Sequence, residues 1–385
     1  MMNRNDLNVW FSDVMFNSKE SPVLMNSQDL DDITVIIPSY NRQEFILRQF
    51  AYWSTSSATV IVLDGSLKPI SEQCIEILSA FPRLNYLHAP ISFPERLRLA
   101  SQLISTDYTI MLGDDEFHLF EGLYSALSSL RKENKNNANI VGCIGQSLRF
   151  NFDIEMNSIN IGEGYPHTNL KVLGNKIEDR LNFAMNNYTP ATSYGLLTSL
   201  CWQETWGAVE SWSCPYAIEL QQAFKTYICG KFISVNEVYW MRSLELDPVN
   251  IKNDTDRNLS FRDWWTKKKY KNEKNRFIQL LAEYVVKKEG SSMKVARLKI
   301  NKAVQIYILS STPSNLRLFL SYLKSKILNF IPVKFNRGSN HDPYHFCSMQ
   351  EYIVRINIQP TPKNKIFISE LTKLQELIRE FYRRY

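Results

Sequence analysis

Residues 33–42 have the sequence ITVIIPSYNR, a β-branched apolar run that ends in proline and polar residues. Residues 59–66 (TVIVLDGS) and residues 108–117 (YTIMLGDDEF) repeat this design, with an acidic turn after each apolar run. Short runs rich in Val and Ile predict strands that are buried on both faces. Residues 84–88 predict a further short strand.

Helical patterns separate these strands. Asn41, with Glu44 three residues later, resembles a capping box before a helix, and Pro94 fits the first turn of another. Strands that alternate with helices indicate an α/β fold with a mostly parallel sheet flanked by helices. Ligands bind beyond the carboxyl ends of such strands, which places Tyr40, Asp64 and the acidic turn at 114–116 on one rim.

Composition excludes several classes of protein. With 44% hydrophobic and 12% aromatic residues, the 385-residue chain is neither disordered nor fibrous. Its six cysteines form no C-x-x-C pair, which argues against a zinc site or a disulfide framework. The sequence contains no P-loop, dinucleotide glycine fingerprint or nucleophile elbow. It also lacks a signal peptide pattern and an apolar run of about 18 residues, so we expect a cytoplasmic protein.

Charge divides the chain into two halves. Residues 251–385 contain 27 Lys and Arg against 11 Asp and Glu, whereas residues 1–250 contain 18 against 28. We therefore predict an N-terminal extension over 1–31, a catalytic domain over 32–250 and a basic, mainly helical domain over 251–385. The basic domain is expected to face an anionic partner.

Four motifs in order resemble the family 2 glycosyltransferases. Residues 33–42 are similar to the opening strand of that family, and residues 62–66 (VLDGS) to its second strand end. Residues 108–117 resemble its metal-binding strand end, and residues 217–222 (AIELQQ) the helix start that carries its catalytic acid. The resemblance covers roughly residues 32–245. It implies a GT-A, Rossmann-like fold that transfers a sugar from a nucleotide-sugar, with a UDP-sugar as the expected donor, to a bacterial glycan or lipid-linked glycan.

The acidic turn is the candidate metal site. A divalent cation neutralises the diphosphate as it leaves, and Mg²⁺ or Mn²⁺ prefers oxygen ligands. The family pattern puts Asp115 at the metal and Asp114 beside the ribose or the metal, with Glu116 where the family usually has Asp. The alternative is a solvated acidic turn.

The remaining donor-site residues follow from the same resemblance. Asp64 would hold the base or ribose, although it can equally form an Asx turn with Gly65. Pro38 and Tyr40 would form the wall beside the base, with Arg42 next to them.

Three further arginines are candidates for the diphosphate. Arg96 or Arg98 would meet it from the helix before the acidic turn. Arg242 stands where many family members have a metal-binding His, which suggests a phosphate clamp and leaves the third metal ligand open.

Glu219 is the predicted catalytic base. An inverting transfer needs a base to deprotonate the acceptor hydroxyl. Glu219 falls outside the apolar stripe of Ala217, Leu220 and Phe224, and we place it in the first turn of its helix. The alternative is an acid that only complements the helix dipole.

The tail and three other functions complete the expectations. Residues 314–337 predict a basic amphipathic helix that either contacts an anionic membrane peripherally or packs against the catalytic domain. A nucleotidyltransferase would have a glycine-rich loop after the first strand, which is missing. A nucleic-acid-binding protein would leave the acidic rim unexplained, so we expect no nucleic-acid partner. An inactive GT-A-like binding module remains open because of the missing His.

Overall fold

A computed structural model describes residues 4–20, 29–135, 139–165, 170–245, 259–311, 346–357 and 361–384. Within these ranges one mixed sheet of ten strands forms the centre of the molecule, with helices packed on it. The order along the sheet is β10-β7-β6-β8-β4-β1-β2-β3, and β5 and β9 pair beside this path. The predicted α/β class is therefore confirmed.

The first four strands form the parallel part of the sheet. Ser39 at the end of the first strand pairs with Asp64 at the end of the second, so the two carboxyl ends lie side by side. All four predicted strands are confirmed to within one residue: β1 Ile33–Ser39, β2 Thr59–Asp64, β3 Leu84–His88 and β4 Tyr108–Met111.

The helices between these strands pack on the sheet. They are α2 Gln43–Trp53, α3 Glu72–Ser79 and α4 Phe93–Leu103, and α5 Phe120–Lys135 follows the fourth strand. The capping box predicted at Asn41 is wrong: Arg42 is the N-cap residue of α2 and makes no side-chain cap, and Asn41 has a φ of 56°. Pro94 lies in the first turn of α4 as predicted, behind a capping box of Ser92 and Glu95.

The second half of the sheet is mixed. Its strands are β5 Phe117–His118, β6 Ile140–Asp153, β7 Ser158–Glu163, β8 Leu196–Thr198, β9 Lys231–Ser243 and β10 Cys347–Ser348. Strand β8 joins β4 in antiparallel pairing, and β9 runs parallel to β6. The intervening helices are α6 Ile177–Asn186, α7 Ser199–Glu204 and α8 Pro215–Cys229. This half supplies the second wall of the site.

The two ends of the chain pack on the same sheet. Residues 4–20 form α1 (Arg4–Glu20), whose Trp10 and Phe11 are buried against α2 and α3, where we had expected only a polar extension. The described C-terminal helices are α9 Phe261–Thr266, α10 Lys271–Glu289, α11 Met293–Ser310, α12 Met349–Asn357 and α13 Pro362–Arg384. Helix α10 packs on α8, α11 on α6, and α13 on α1 and α2. The basic region therefore shares one hydrophobic core with the sheet.

Parts of the predicted C-terminal region lie outside the described residues. These are the boundary segment at 247–258 and the amphipathic segment at 314–337. In the described part of the chain, no helix combines the length and apolar character needed to cross a membrane.

Candidate active site

The carboxyl ends of β1, β2 and β4 form an acidic rim, which we define as Ser39, Asp64, Asp114 and Asp115. Ser39 follows the buried run of β1 and donates a hydrogen bond from its Oγ to Asp114 Oδ2 at 2.6 Å. This contact ties the end of β1 to the turn after β4, 75 residues later. The predicted convergence of strand ends is therefore present in the structure.

Arg42 joins the two aspartates of the rim. Its Nη1 donates to Asp114 Oδ1 at 3.1 Å and to Asp115 Oδ2 at 3.3 Å. Burial raises the pKa of Asp114, and the charge of Arg42 opposes this effect. Burial and the neighbouring Asp114 raise the pKa of Asp115 to about 6. A single cationic nitrogen is therefore close to both carboxylates, so the two side chains are placed to share one cation.

Helix α2 fixes the backbone of the acidic turn. Gln49 Nε2 donates to the carbonyl oxygens of Asp114 at 3.0 Å and Glu116 at 2.6 Å. Arg48 Nη2 donates to the carbonyl oxygen of Asp115 at 3.0 Å, and the same guanidinium pairs with Glu245 at 2.8 Å. These bonds satisfy carbonyls that the turn itself leaves without partners.

Arg48, Gln49 and Glu245 were not predicted from the sequence. Arg48 and Gln49 are completely buried in a helix whose other buried residues are mainly apolar. The sequence did contain a signal for Arg48 and Gln49, since two adjacent polar residues interrupt an apolar helix and a buried charge needs a partner. The partner Glu245 lies 197 residues away in the sequence.

Glu116 is separated from the two aspartates. Its Oε2 accepts a hydrogen bond from Trp240 Nε1 at 3.0 Å, and its side chain is buried on the side of β9. Burial and the charge of Asp115 raise the pKa of Glu116 to about 8. The three predicted metal ligands therefore do not converge. Among the described residues, no group of three His, Cys, Asp or Glu side chains is arranged to hold a metal.

Two of the predicted ligands nevertheless fit a divalent cation. Asp114 and Asp115 supply hard oxygen donors within reach of one positively charged atom, Arg42 Nη1. Mg²⁺ sites that also use phosphate oxygens typically need only one or two carboxylates from the protein. A cation held by this pair would complete its coordination from a bound diphosphate.

Asp64 forms the Asx turn that was one of its two predicted roles. Its Oδ1 accepts from the backbone nitrogen of Ser66 at 2.9 Å, and its Oδ2 from the hydroxyl of Tyr86 at 2.7 Å. The side chain is completely buried at the end of β2. Beside it, Tyr40 is 44% exposed and Pro38 is half-buried, which leaves the Tyr40 ring available to a ligand. A role of Asp64 in binding stays a prediction.

Arg96 and Arg98 differ in position. Arg96 is buried and donates from Nη1 to the carbonyl oxygens of Ser39 and Leu63, so it braces the ends of β1 and β2. Its Nε is buried without a hydrogen-bond partner among the described residues. The guanidinium of Arg96 also requires glycine at position 65, because a Cβ on Gly65 would lie 2.6 Å from Arg96 Cζ. Arg98 is exposed on the same helix.

Glu219 lies on α8 and faces a cavity. The helix begins at Pro215, so Glu219 lies beyond the first turn where we had placed it, and complementing the helix dipole explains it less well. The hydroxyl of Tyr188 donates a hydrogen bond to Glu219 Oε1. Burial raises the pKa of Glu219 to about 7, although the bond from Tyr188 and the charge of Arg242 act in the opposite direction. A carboxylate in this state can accept a proton near neutral pH.

Arg242 is the cation whose charge reaches Glu219. It lies near the end of β9, donates to the hydroxyl of Tyr165 and lies 5.1 Å from the centre of that ring. Its charge acts on the carboxyl groups of both Glu116 and Glu219. This places one cation within electrostatic range of Glu219 and of Glu116, the residue that follows Asp115.

Comparisons with known proteins find similar solved structures but no matching sequence. No family model and no curated protein matches the sequence. Among solved structures, S. aureus TarS 1–349 is 11% identical with a TM-score of 0.44, and the match covers 74% of this chain and 73% of that chain. A longer TarS structure is 12% identical with a TM-score of 0.39, covering 73% of this chain and 55% of that one. TarS 1–349 with UDP-GlcNAc is 10% identical with a TM-score of 0.42, covering 76% and 92%. Because these TM-scores are below 0.5, the fold assignment rests on this chain's own sheet topology.

Proposed function

We propose that this chain is a metal-dependent, inverting glycosyltransferase that moves a sugar from a nucleotide-sugar to a glycan hydroxyl. One observation carries the proposal: the chain has both a proton-accepting carboxylate, Glu219, and a cation-sharing carboxylate pair, Asp114 and Asp115, and the charge of Arg242 acts on Glu219 and on Glu116 next to that pair. Transfer of a sugar needs both functions, because the acceptor loses a proton while the donor loses a diphosphate.

The donor would bind along the acidic rim. Asp114 and Asp115 would hold Mn²⁺ or Mg²⁺, which when bound neutralises charge on the departing diphosphate as a Lewis acid. Asp64 and Tyr40 lie beside each other at the end of β2 and after β1, where a base and ribose would fit. Arg242 offers a further cation to the phosphates. A UDP-sugar is the donor that the sequence resemblance favours.

The acceptor would be activated by Glu219. Its carboxylate removes the proton from the attacking hydroxyl as that oxygen forms a bond to the anomeric carbon. The bond between that carbon and the diphosphate oxygen breaks, and its electron pair leaves with the diphosphate. Attack from the side opposite the leaving group inverts the anomeric centre. Tyr188 orients the base by donating to Glu219 Oε1.

The setting of the reaction stays a prediction. A lipid-linked or surface glycan as acceptor, and peripheral contact of residues 314–337 with an anionic membrane, belong to this proposal. Flotation with anionic liposomes at low and high salt tests the contact, because screening weakens surface attraction.

A screen of sugar nucleotides tests the function itself. The protein is incubated with UDP-, GDP- and dTDP-sugars in Mn²⁺, Mg²⁺ or EDTA, and release of nucleoside diphosphate is measured. We expect hydrolysis of at least one donor with metal and none with EDTA. If the protein neither binds nor hydrolyses any of these donors, the proposal is overturned.

A further inference from the structure

A cavity of about 520 Å³ has Glu219 in its wall. We call it the tyrosine cavity, lined among others by Tyr188, Tyr216 and Tyr307. It is formed where α6 and α11 end and α8 begins, so three helix ends supply its wall. Its volume is in the range of pockets that hold small molecules.

The wall of the tyrosine cavity carries almost no charge. Its described lining residues offer amide, hydroxyl and phenol groups, and they include neither Lys nor Arg. Glu219 is the one carboxylate among them. An anionic ligand would meet that carboxylate with no Lys or Arg among the described lining residues, and Arg242 acts on Glu219 only from outside the lining, so an anion is disfavoured in this partly buried site. A neutral ligand rich in hydroxyl groups can both donate to and accept from this wall.

The aromatic residues also suit a ring with one apolar face. Tyr216 is 52% exposed at the start of α8 and presents its ring at the cavity. The rings of Tyr188 and Tyr307 pack edge to face, with their centres 5.3 Å apart. This contact fixes two of the rings that line the cavity. Tyrosine combines an apolar ring with a polar hydroxyl, which matches the two kinds of surface on a pyranose.

Two polar atoms beside the cavity lack a hydrogen-bond partner among the described residues. Thr189 Oγ1 is buried and has no hydrogen-bond partner in the described part of the chain. Tyr188 engages Oε1 of Glu219, whereas no described residue donates to its Oε2. Buried polar groups are usually satisfied, so an unmet hydroxyl on a cavity wall indicates a missing partner.

We propose that the tyrosine cavity binds the acceptor as an uncharged pyranose unit, the terminal sugar of a neutral glycan. This inference rests on the proposed function, because it takes Glu219 as the base that the acceptor hydroxyl must reach. A sugar in the cavity would present a hydroxyl to Glu219 from one side, while the donor approaches from the rim on the other. The enzyme would then discriminate against acceptors whose terminal unit carries phosphate or carboxylate.

An oligosaccharide array tests the specificity directly. The full chain, with Mn²⁺ and UDP, is applied to printed neutral oligosaccharides and to phosphorylated or uronic-acid-containing counterparts. We expect binding to a subset of the neutral members, reduced at least about tenfold by Tyr216→Ala. The control Tyr124→Ala removes another partly exposed tyrosine, on α5, and should bind like the wild type.

A charge introduced into the wall gives a second test. Ser311 is exposed at the end of α11, so Ser311→Lys is compatible with folding. This variant should gain binding to phosphorylated members of the array, because the wall then carries a cation.

The outcomes separate this inference from the proposed function. A protein that binds a sugar nucleotide but prefers anionic oligosaccharides, or binds neutral ones equally well after Tyr216→Ala, overturns the cavity assignment alone. A protein that binds neutral oligosaccharides through Tyr216 but no sugar nucleotide keeps the cavity as a glycan site and removes its role in transfer.

Discussion

The acidic rim and the tyrosine cavity both contain carboxylates removed from water, but their partners differ. Asp114 and Asp115 share the guanidinium of Arg42, and Asp114 also accepts from Ser39. Glu219 accepts from the neutral hydroxyl of Tyr188 and receives only a weaker influence from the charge of Arg242. The charge of Arg42 opposes the effect of burial at Asp114 and Asp115, although the pKa of Asp115 is still raised to about 6. The pKa of Glu219, whose nearest partner is neutral, is raised to about 7. The rim is therefore arranged to share a cation between two carboxylates, and the cavity presents a single carboxylate that can take up a proton near neutral pH.

The largest expected effect comes from removing the proton acceptor. Glu219→Gln keeps the shape and the hydrogen bond from Tyr188 but cannot take a proton, so turnover should fall about 10²–10⁴-fold. Donor affinity and thermal stability should stay close to the wild-type values, because the rim is unchanged. Initial rates with acceptor, calorimetry with UDP and a thermal melt measure the three quantities.

Glu72→Gln is the matched control for this variant. Glu72 is exposed in the first turn of α3, where an acid serves only the helix dipole. Its loss should cost roughly 0.3–1 kcal/mol of stability and leave turnover unchanged. A folded Glu219→Gln enzyme that retains near-normal turnover would remove Glu219 from the mechanism. Asp247, which lies outside the described residues, would then be the next acid to test.

The second effect concerns the rim. Asp115→Asn removes one of the two carboxylates that can share a cation, so UDP affinity in Mn²⁺ should fall roughly 10–100-fold. Calorimetry in Mn²⁺ and in EDTA makes the comparison, and the wild type should bind more tightly in Mn²⁺. Asp107→Asn changes an exposed acid before β4, at the opposite end of that strand, and should have no effect. Equal wild-type affinity in Mn²⁺ and EDTA would contradict the metal prediction.

The parallel part of the fold could be predicted because its evidence is local. Strands β1, β2 and β4 are buried apolar runs followed by polar turns, so their positions, the order of elements and the placement of Asp64 and Asp114 on one rim follow from sequence. Helix α1 was missed because Trp10 and Phe11 are buried by α2, α3 and α13 rather than by a pattern within the segment.

The partners of the site residues could not be predicted because they are distant in sequence. Arg48 meets Glu245 across 197 residues, and Glu219 meets Tyr188 across 31. The sequence also presents Asp114, Asp115 and Glu116 as three equivalent acids. In the structure Glu116 has a different partner from the pair, since it accepts a hydrogen bond from Trp240 on β9.

A smaller effect is expected where the rim is packed most tightly. Gly65→Ala would place a Cβ 2.6 Å from Arg96 Cζ, and the buried guanidinium would have to move from the carbonyls of Ser39 and Leu63. We expect a loss of about 1–3 kcal/mol of stability with weaker UDP binding. Urea unfolding of Gly65→Ala, Arg96→Met and the double variant should show non-additive costs, since the two residues are in contact. Strict additivity would show that Arg96 does not brace the rim through this contact.

The smallest expected effect is a shift in the pH dependence of transfer, which distinguishes the role of the cavity from that of the rim. In the wild type, burial raises the pKa of Glu219 to about 7, so the base is protonated and transfer is lost as the pH falls through that value. The hydrogen bond from Tyr188 stabilises the ionised form, and Tyr188→Phe removes it, so the acid limb of the rate profile should move to higher pH by roughly one pH unit. At pH values well above that limb, the variant should turn over nearly as fast as the wild type. Its UDP affinity should equal that of the wild type at every pH, because no rim group is altered. Tyr124→Phe should leave the profile in place. An acid limb that stays fixed after Tyr188→Phe would mean that a group other than Glu219 controls it.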